Sequence, residues 1–106
     1  MPHVELVYDA DCPNIEAARK ALREAFTEAQ LDPEWTEWDR KTASAPPHVR
    51  HYGSPTILVN GRDVAGGARG QNGADCCRLY RDASGAFRGA PDKERIVAAL
   101  NARRSA

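Results

Sequence analysis

The chain has 106 residues, 42% of them hydrophobic and 28% charged, and its 15 basic residues balance its 15 acidic ones. This composition predicts one ordinary globular domain spanning residues 1–106. A net charge of zero argues against nucleic acid and anionic membranes as partners, because both attract an excess of Lys and Arg. The sequence shows neither a secretory signal nor about 18 consecutive apolar residues, so we expect a cytoplasmic protein.

The first predicted elements are a strand and a helix. Residues 3–9 are mostly apolar, as in a largely buried strand, which we expect at the centre of a sheet. Across residues 15–29, apolar positions recur every third or fourth residue, as on the buried face of a helix. Pro13 suits the first helical turn, and Pro33 marks the end of the helix. This order places Cys12 at or beside the N-cap.

A second strand and a short helix follow. Residues 34–40 predict a strand in which Trp35 and Trp38 lie on opposite faces, because they are three positions apart. Two consecutive prolines then restrict the chain to a short helix near residues 49–52.

The next segment predicts a β-hairpin. An Asn-Gly pair separates residues 56–59 from residues 62–65, and such a pair between two candidate strands strongly indicates an antiparallel turn. The glycine-rich loop at residues 66–75 lacks the spacing of a nucleotide-phosphate cradle. Residues 77–80 are expected to be extended, and residues 82–85 to form a turn.

The last predicted element is a helix that begins at Pro91 and buries Ile96 and Leu100. The order of elements is therefore β-α-β-α-β-β-α. It predicts an α/β fold with a single mixed four-stranded sheet and helices on both faces.

Three cysteines, Cys12, Cys76 and Cys77, direct attention to thiol chemistry. In a reducing compartment cysteines are more often reactive or metal-binding than paired in disulfides. Between a buried strand and a helix, backbone N–H groups and the helix dipole stabilise a thiolate, so Cys12 is a candidate nucleophile or metal ligand. The alternative is a small buried apolar residue. Position 15 is Ile15, so Cys12 has no partner in a Cys-x-x-Cys motif.

Three segments together resemble one protein family. They are Asp11-Cys12-Pro13-Asn14, Gly53-Ser54-Pro55-Thr56-Ile57, and Cys77-Arg78-Leu79-Tyr80-Arg81 followed by Gly89-Ala90-Pro91. With these segments the chain resembles small bacterial thioredoxin-fold proteins labelled alkylmercury lyase-like, over residues 4–100. The resemblance implies a thioredoxin-like fold in which a cis-proline loop, formed by Ser54, Pro55 and Thr56, faces the cysteine loop. It also implies that Cys12 and Cys77 are the recurrent thiols, whereas Cys76 stands where serine is common.

These thiols suggest three functions. Two thiolates on either side of one ion suit a soft metal such as Hg(II) or Cu(I). Adjacent cysteines on an extended chain point to opposite faces, so of the candidate ligands Cys76 and Cys77 only one is expected to meet Cys12, and the resemblance selects Cys77. We therefore expect a soft metal or organomercurial as ligand and no required cofactor. The alternatives are a glutaredoxin-like exchanger of small thiols, with Cys12 as nucleophile, and a redox-inert interaction module.

Other polar residues admit two interpretations each. Asp11 either supports the N-terminus of the first helix or, if it is buried, donates a proton to a metal-bound carbon. His48 and His51 are expected to be solvated rather than to bind zinc. Four arginines either collect the carboxylates of an anionic thiol such as glutathione or form a solvated surface: Arg69, Arg78, Arg81 and Arg88.

Overall fold

The computed structural model describes residues 3–65, 80–81 and 84–104, which form a mixed α/β fold. The strands are β1 (Val4–Tyr8), β2 (Thr36–Asp39), β3 (Thr56–Val59), β4 (Arg62–Asp63), β5 (Tyr80–Arg81) and β6 (Phe87–Arg88). The helices are α1 (Ile15–Glu28) and α2 (Lys93–Arg104), with a 3-10 helix at Pro47–His51. None of the helices in these ranges is long and apolar enough to cross a membrane.

The main sheet confirms the predicted mixed four-stranded arrangement. Its order is β2-β1-β3-β4, with β2 parallel to β1 and the other neighbours antiparallel. As predicted, β1 is an inner strand. β5 and β6 pair separately in a two-stranded ribbon, so the expectation of a single sheet is wrong. Each of these strands has two residues, too few to produce a recognisable alternation in the sequence.

Both α-helices pack on one face of the main sheet. Buried residues of β1 and β3 contact buried residues of both helices in the larger core, formed by Val4, Leu6, Ala18, Leu22, Ala25, Phe26, Ala29, Ile57, Val59, Ala90, Ile96 and Leu100. The opposite face holds a smaller core of Val7, Ala45, Val49, Tyr52 and Leu58. This face is covered by the 3-10 helix and the residues around it. The short helix predicted near residues 49–52 is this 3-10 helix, so both faces carry a helix but only one face carries α-helices, because two prolines restrict the second segment to a 3-10 turn.

α1 ends earlier than the prediction based on Pro33. Gln30 adopts a left-handed conformation with φ of 60°, and its N–H donates to the carbonyl of Thr27 at 3.1 Å. The N–H of Leu31 donates to the carbonyl of Phe26 at 2.9 Å. This pair of bonds is a Schellman motif, with glutamine at the position that usually holds glycine.

The predicted hairpin joins β3 to β4. Asn60 and Gly61 have φ values of 52° and 82°, as a type I′ turn requires. The N–H of Asn60 donates to the carbonyl of His3 at 2.7 Å, and the N–H of His3 donates to Oδ1 of Asn60 at 2.9 Å. The turn therefore also fixes the residue that precedes β1.

The two tryptophans lie on opposite faces, as predicted. Trp35 packs against the larger core and stacks on Phe26, with ring centroids 5.9 Å apart. Trp38 packs against the smaller core on the other face. Both faces of the sheet near β2 are therefore covered by an aromatic ring.

An ion pair fastens α1 to the edge strand β2. Arg19 donates to Glu37 through Nη2 at 2.7 Å and through Nε at 3.0 Å. Hydrogen bonding to Arg19 lowers the pKa of Glu37 from its usual value, and the same bond raises the pKa of Arg19. Trp35 also donates to this carboxylate, through its indole nitrogen at 3.0 Å.

Candidate functional site

One edge of the main sheet brings together the segments that carry the candidate residues. Because β1 and β2 are parallel, both end at this edge, and the antiparallel β3 begins there. We call residues 9–12, which follow β1, the cysteine turn. Residues 52–55, which precede β3, are the proline segment. These two segments form the walls of the candidate site.

Cys12 is buried, with 6% of its surface exposed, and its thiol is free. Its N–H donates to the carbonyl of Asp9 at 2.9 Å and closes the cysteine turn. The first helical bond of α1 runs from the N–H of Ala18 to the carbonyl of Asn14, the N-cap, at 3.1 Å. Cys12 therefore lies two positions before the cap, and Pro13 lies outside the first helical turn where we predicted it. The reason is that residues 9–12 close a turn of their own, so the helix begins only after Asn14.

The proline segment lies against the cysteine turn. The hydroxyl of Ser54 accepts a hydrogen bond from the N–H of Asp9 at 2.9 Å, and the peptide bond between Ser54 and Pro55 is cis. The hydroxyl of Thr56 donates to the carbonyl of Gly53 at 2.7 Å, and all of these residues are buried. The segment thus has the cis-proline that the resemblance implies, next to the loop that carries Cys12.

A buried ion pair behind the cysteine turn was not anticipated from the sequence. Nε of Arg40 donates to Oδ1 of Asp9 at 2.7 Å, and Nη1 of Arg40 donates to the carbonyl of Tyr52 at 2.6 Å. Asp9 is 0% exposed and Arg40 is 6% exposed. Among the described residues Oδ2 of Asp9 accepts no hydrogen bond, and Nζ of Lys41 lies 3.9 Å from it. In sequence, Arg40 carries no signal that separates it from the surface arginines.

Two further segments lie against the walls of the site. The hydroxyl of Tyr80, a buried residue of β5, donates to the carbonyl of Pro55. Gly89 approaches Asn14 so closely that a Cβ at position 89 would lie 2.4 Å from Cγ of Asn14. Tyr80 of the third motif therefore contacts the second motif, and Gly89 of the third motif lies against the first.

The other predicted site residues are Asp11, two cysteines and four arginines. Asp11 is exposed, whereas its interpretation as a proton donor requires burial; the buried carboxyl is that of Asp9. Cys76 and Cys77 lie outside the described residues, so the meeting of Cys77 with Cys12 stays a prediction. Of the four arginines, two belong to the ribbon of β5 and β6, Arg81 and Arg88, and two lie outside the described ranges, Arg69 and Arg78.

A polar cluster occupies the sheet face opposite the α-helices. Glu5 is 3% exposed, and its Oε2 lies 3.0 Å from Nε2 of His48 and accepts a bond from the indole of Trp38 at 2.9 Å. His3 lies 3.6 Å from the other carboxylate oxygen. His48 is therefore not simply solvated, because strand alternation directs Glu5 towards the covering segment. The side chain of His51 lies outside the described residues. Within residues 3–65, 80–81 and 84–104, no three His, Cys, Asp or Glu side chains form a metal-ligand group.

No family model, curated protein or solved structure matches this chain. The chemistry available to the site therefore follows from its own residues. These are a buried free thiol, a turn bonded to the proline segment, and an ion pair that contacts both.

Proposed function

We propose that this chain is a thiol protein of thioredoxin-like fold that binds a soft metal ion or an organomercurial between Cys12 and Cys77. Three features support the fold assignment. The chain passes from β1 through α1 to the parallel strand β2, Cys12 lies in the loop between β1 and α1, and the proline segment lies beside it. The small thioredoxin-fold proteins labelled alkylmercury lyase-like, which the chain resembles, combine the same features.

The observation that carries the proposal is the hydrogen bond from the Tyr80 hydroxyl to the carbonyl of Pro55. Tyr80 is the third residue after Cys77, and three residues span at most about 11 Å of extended chain. Pro55 belongs to the wall that is hydrogen-bonded to the cysteine turn. Tyr80 is therefore anchored beside the wall that contacts that turn, which supports a cleft with Cys12 on one side and Cys77 on the other.

Two thiolates are well suited to a soft ion. Hg(II) is satisfied by two sulfur ligands in a nearly linear arrangement, so each wall needs to supply only one ligand. On binding, each thiol loses its proton to solvent and forms one S–Hg bond, with no change of oxidation state. The cysteine turn holds Cys12 in place before the metal arrives, which reduces the conformational cost of binding.

The experiment is a titration of the full chain with Hg(II) in the presence of excess glutathione, followed by native mass spectrometry. We expect one ion per chain for the wild type. Cys12→Ser and Cys77→Ser should each weaken retention by about 10²–10⁴-fold, because the second sulfur then no longer acts at a high effective concentration. Cys76→Ser is the matched control, since it removes a neighbouring thiol and should retain the ion.

Retention equal to that of the wild type in either Cys12→Ser or Cys77→Ser would disprove the two-thiol site. Catalytic turnover of a glutathionylated peptide that is abolished by Cys12→Ser would assign the thiols to disulfide exchange instead. A native Cys12 thiol that resists alkylation and binds no mercury would indicate an interaction module that retains only the scaffold.

A further inference from the structure

The proposed binding of an ion by Cys12 and Cys77 does not itself involve the buried ion pair of Arg40 and Asp9. We propose that Arg40 is a positioning residue of the thiol site, whose guanidinium holds the cysteine turn and the proline segment at a fixed separation. The inference rests on the proposed function only in taking Cys12 as the working thiol.

One planar group contacts both walls. Nε of Arg40 bonds to Asp9, the first residue of the cysteine turn, and Nη1 bonds to the carbonyl of Tyr52, the first residue of the proline segment. The N–H donors of a guanidinium have a rigid geometry, so two such bonds fix the relative position of their acceptors. Arg40 itself is held by the sheet, because its N–H donates to the carbonyl of Tyr8 at 3.0 Å.

The backbone of Asp9 transmits this constraint to the thiol. Its carbonyl accepts the N–H of Cys12, and its own N–H donates to the hydroxyl of Ser54, each at 2.9 Å. A fixed Asp9 side chain therefore restrains both hydrogen bonds that the Asp9 backbone makes. Nζ of Lys41 is 3.9 Å from Asp9 on an exposed side chain, too distant for a hydrogen bond, and does not replace Arg40 in this role.

The burial of the pair favours a positioning role over a purely stabilising one. Both side chains are more than nine-tenths buried, so each charge has lost its water. Replacing a buried ion pair by apolar or neutral residues of similar size often leaves stability unchanged, whereas removing one partner alone is costly. What the pair supplies here is a defined geometry between two chain segments.

The test uses the full chain carrying Cys76→Ser and Cys77→Ser, in which Cys12 is the only cysteine. In this background, Asp9→Asn combined with Arg40→Met removes both charges together. Hydrogen exchange of the backbone amides of Cys12 and Asp9 is measured by NMR, and native alkylation of Cys12 by iodoacetamide is measured by mass spectrometry. We expect the double change to accelerate exchange at both amides and alkylation by about tenfold, through local opening of the walls.

Two control variants separate positioning from general stability. Arg50→Met removes an arginine whose hydrogen bonds go to the backbone carbonyls of Thr42, Ala43 and Ala45 and to neither wall, so the exchange and alkylation rates should stay unchanged. Ile96→Val lowers the unfolding free energy through the larger core, which lies between the sheet and the α-helices. It should therefore accelerate exchange at all slow amides together.

A conservative variant keeps the proposal testable if the double change prevents folding. Arg40→Lys retains the charge but cannot reproduce the two-armed contact, so it should also accelerate exchange at Cys12 and Asp9. Wild-type rates in Arg40→Lys would overturn the proposal. The proposal would also be overturned if the double variant and Ile96→Val, compared at equal unfolding free energy, showed the same acceleration of exchange and alkylation. Because no metal is used, failure of mercury binding and failure of this inference are distinguishable.

Discussion

The ion pair between α1 and β2 allows a quantitative test of how the fold is held together. The test combines Arg19→Met, Glu37→Gln and the double variant. The carboxylate accepts two hydrogen bonds from the guanidinium, at 2.7 Å and 3.0 Å, and the two side chains are 31% and 28% exposed. Hydrogen bonds to charged groups contribute about 1.5–3 kcal/mol, and exposed ion pairs about 0.2–1 kcal/mol. The partial exposure leads us to expect a coupling of about 1 kcal/mol at pH 7.

The pair also predicts how stability changes with pH. Hydrogen bonding to Arg19 keeps the pKa of Glu37 in the folded protein below its ordinary value of 4.5. The unfolded chain therefore takes up the proton first, and the stabilisation is fully present above pH 4.5. It is lost as pH falls through the lower pKa of the folded state. Glu37→Gln removes this group, so the loss of stability on acidification below pH 4.5 should be less steep than in the wild type.

The assay is urea denaturation followed by far-UV circular dichroism from pH 7 down to pH 3. Tryptophan fluorescence is unsuitable because the indole of Trp35 donates to Glu37 itself. Glu28→Gln is the control, since Glu28 pairs with Lys93 on the surface at 3.2 Å and its loss should leave the midpoint unchanged. A coupling below about 0.3 kcal/mol, or an unchanged acid slope in Glu37→Gln, would refute the reasoning.

Two further predictions concern backbone geometry and close packing. Gln30→Gly should raise the unfolding free energy by about 0.5–1 kcal/mol, because glycine adopts the left-handed conformation without a Cβ penalty; a lower urea midpoint would contradict this. Gly89→Ala should lower it by about 1 kcal/mol, since the added Cβ meets the side chain of Asn14. In an Asn14→Ala background, Gly89→Ala should cause no further loss of unfolding free energy. An equal loss with and without Asn14→Ala would show that another contact is responsible.

The elements that were correctly predicted have strong local signals. Asn60 and Gly61 specify their turn by themselves, because both readily adopt positive φ. The spacing of Trp35 and Trp38 is enough to place them on opposite faces. The end of α1 had no such signal, since Gln30 is an unusual residue for a Schellman motif. The short helix predicted near residues 49–52 is present as a 3-10 helix at Pro47–His51, and its type could not be predicted because so short a helix has no apolar period of useful length.

The site was predicted only where it depends on local sequence. Cys12 lies at a junction of strand and helix that the pattern of apolar residues reveals. The contact between Asp9 and Arg40 depends on the parallel register of β1 and β2, which aligns Tyr8 with Asp39. Periodicity does not determine such a register. Glu5 was equally hidden, because its burial depends on the covering segment that brings His48 to it.

The reciprocal bonds between His3 and Asn60 determine at which end of the sheet a group attached to His3 would lie. They hold the start of β1 at the tip of the β3–β4 hairpin. From there β1 runs about 13 Å to the cysteine turn, so the two ends of this strand lie on opposite edges of the sheet. A fluorophore or solid support coupled to the His3 side chain would therefore lie at the end of β1 opposite the cysteine turn. Protein immobilised through His3 should keep the end of the sheet that carries the cysteine turn towards the solution.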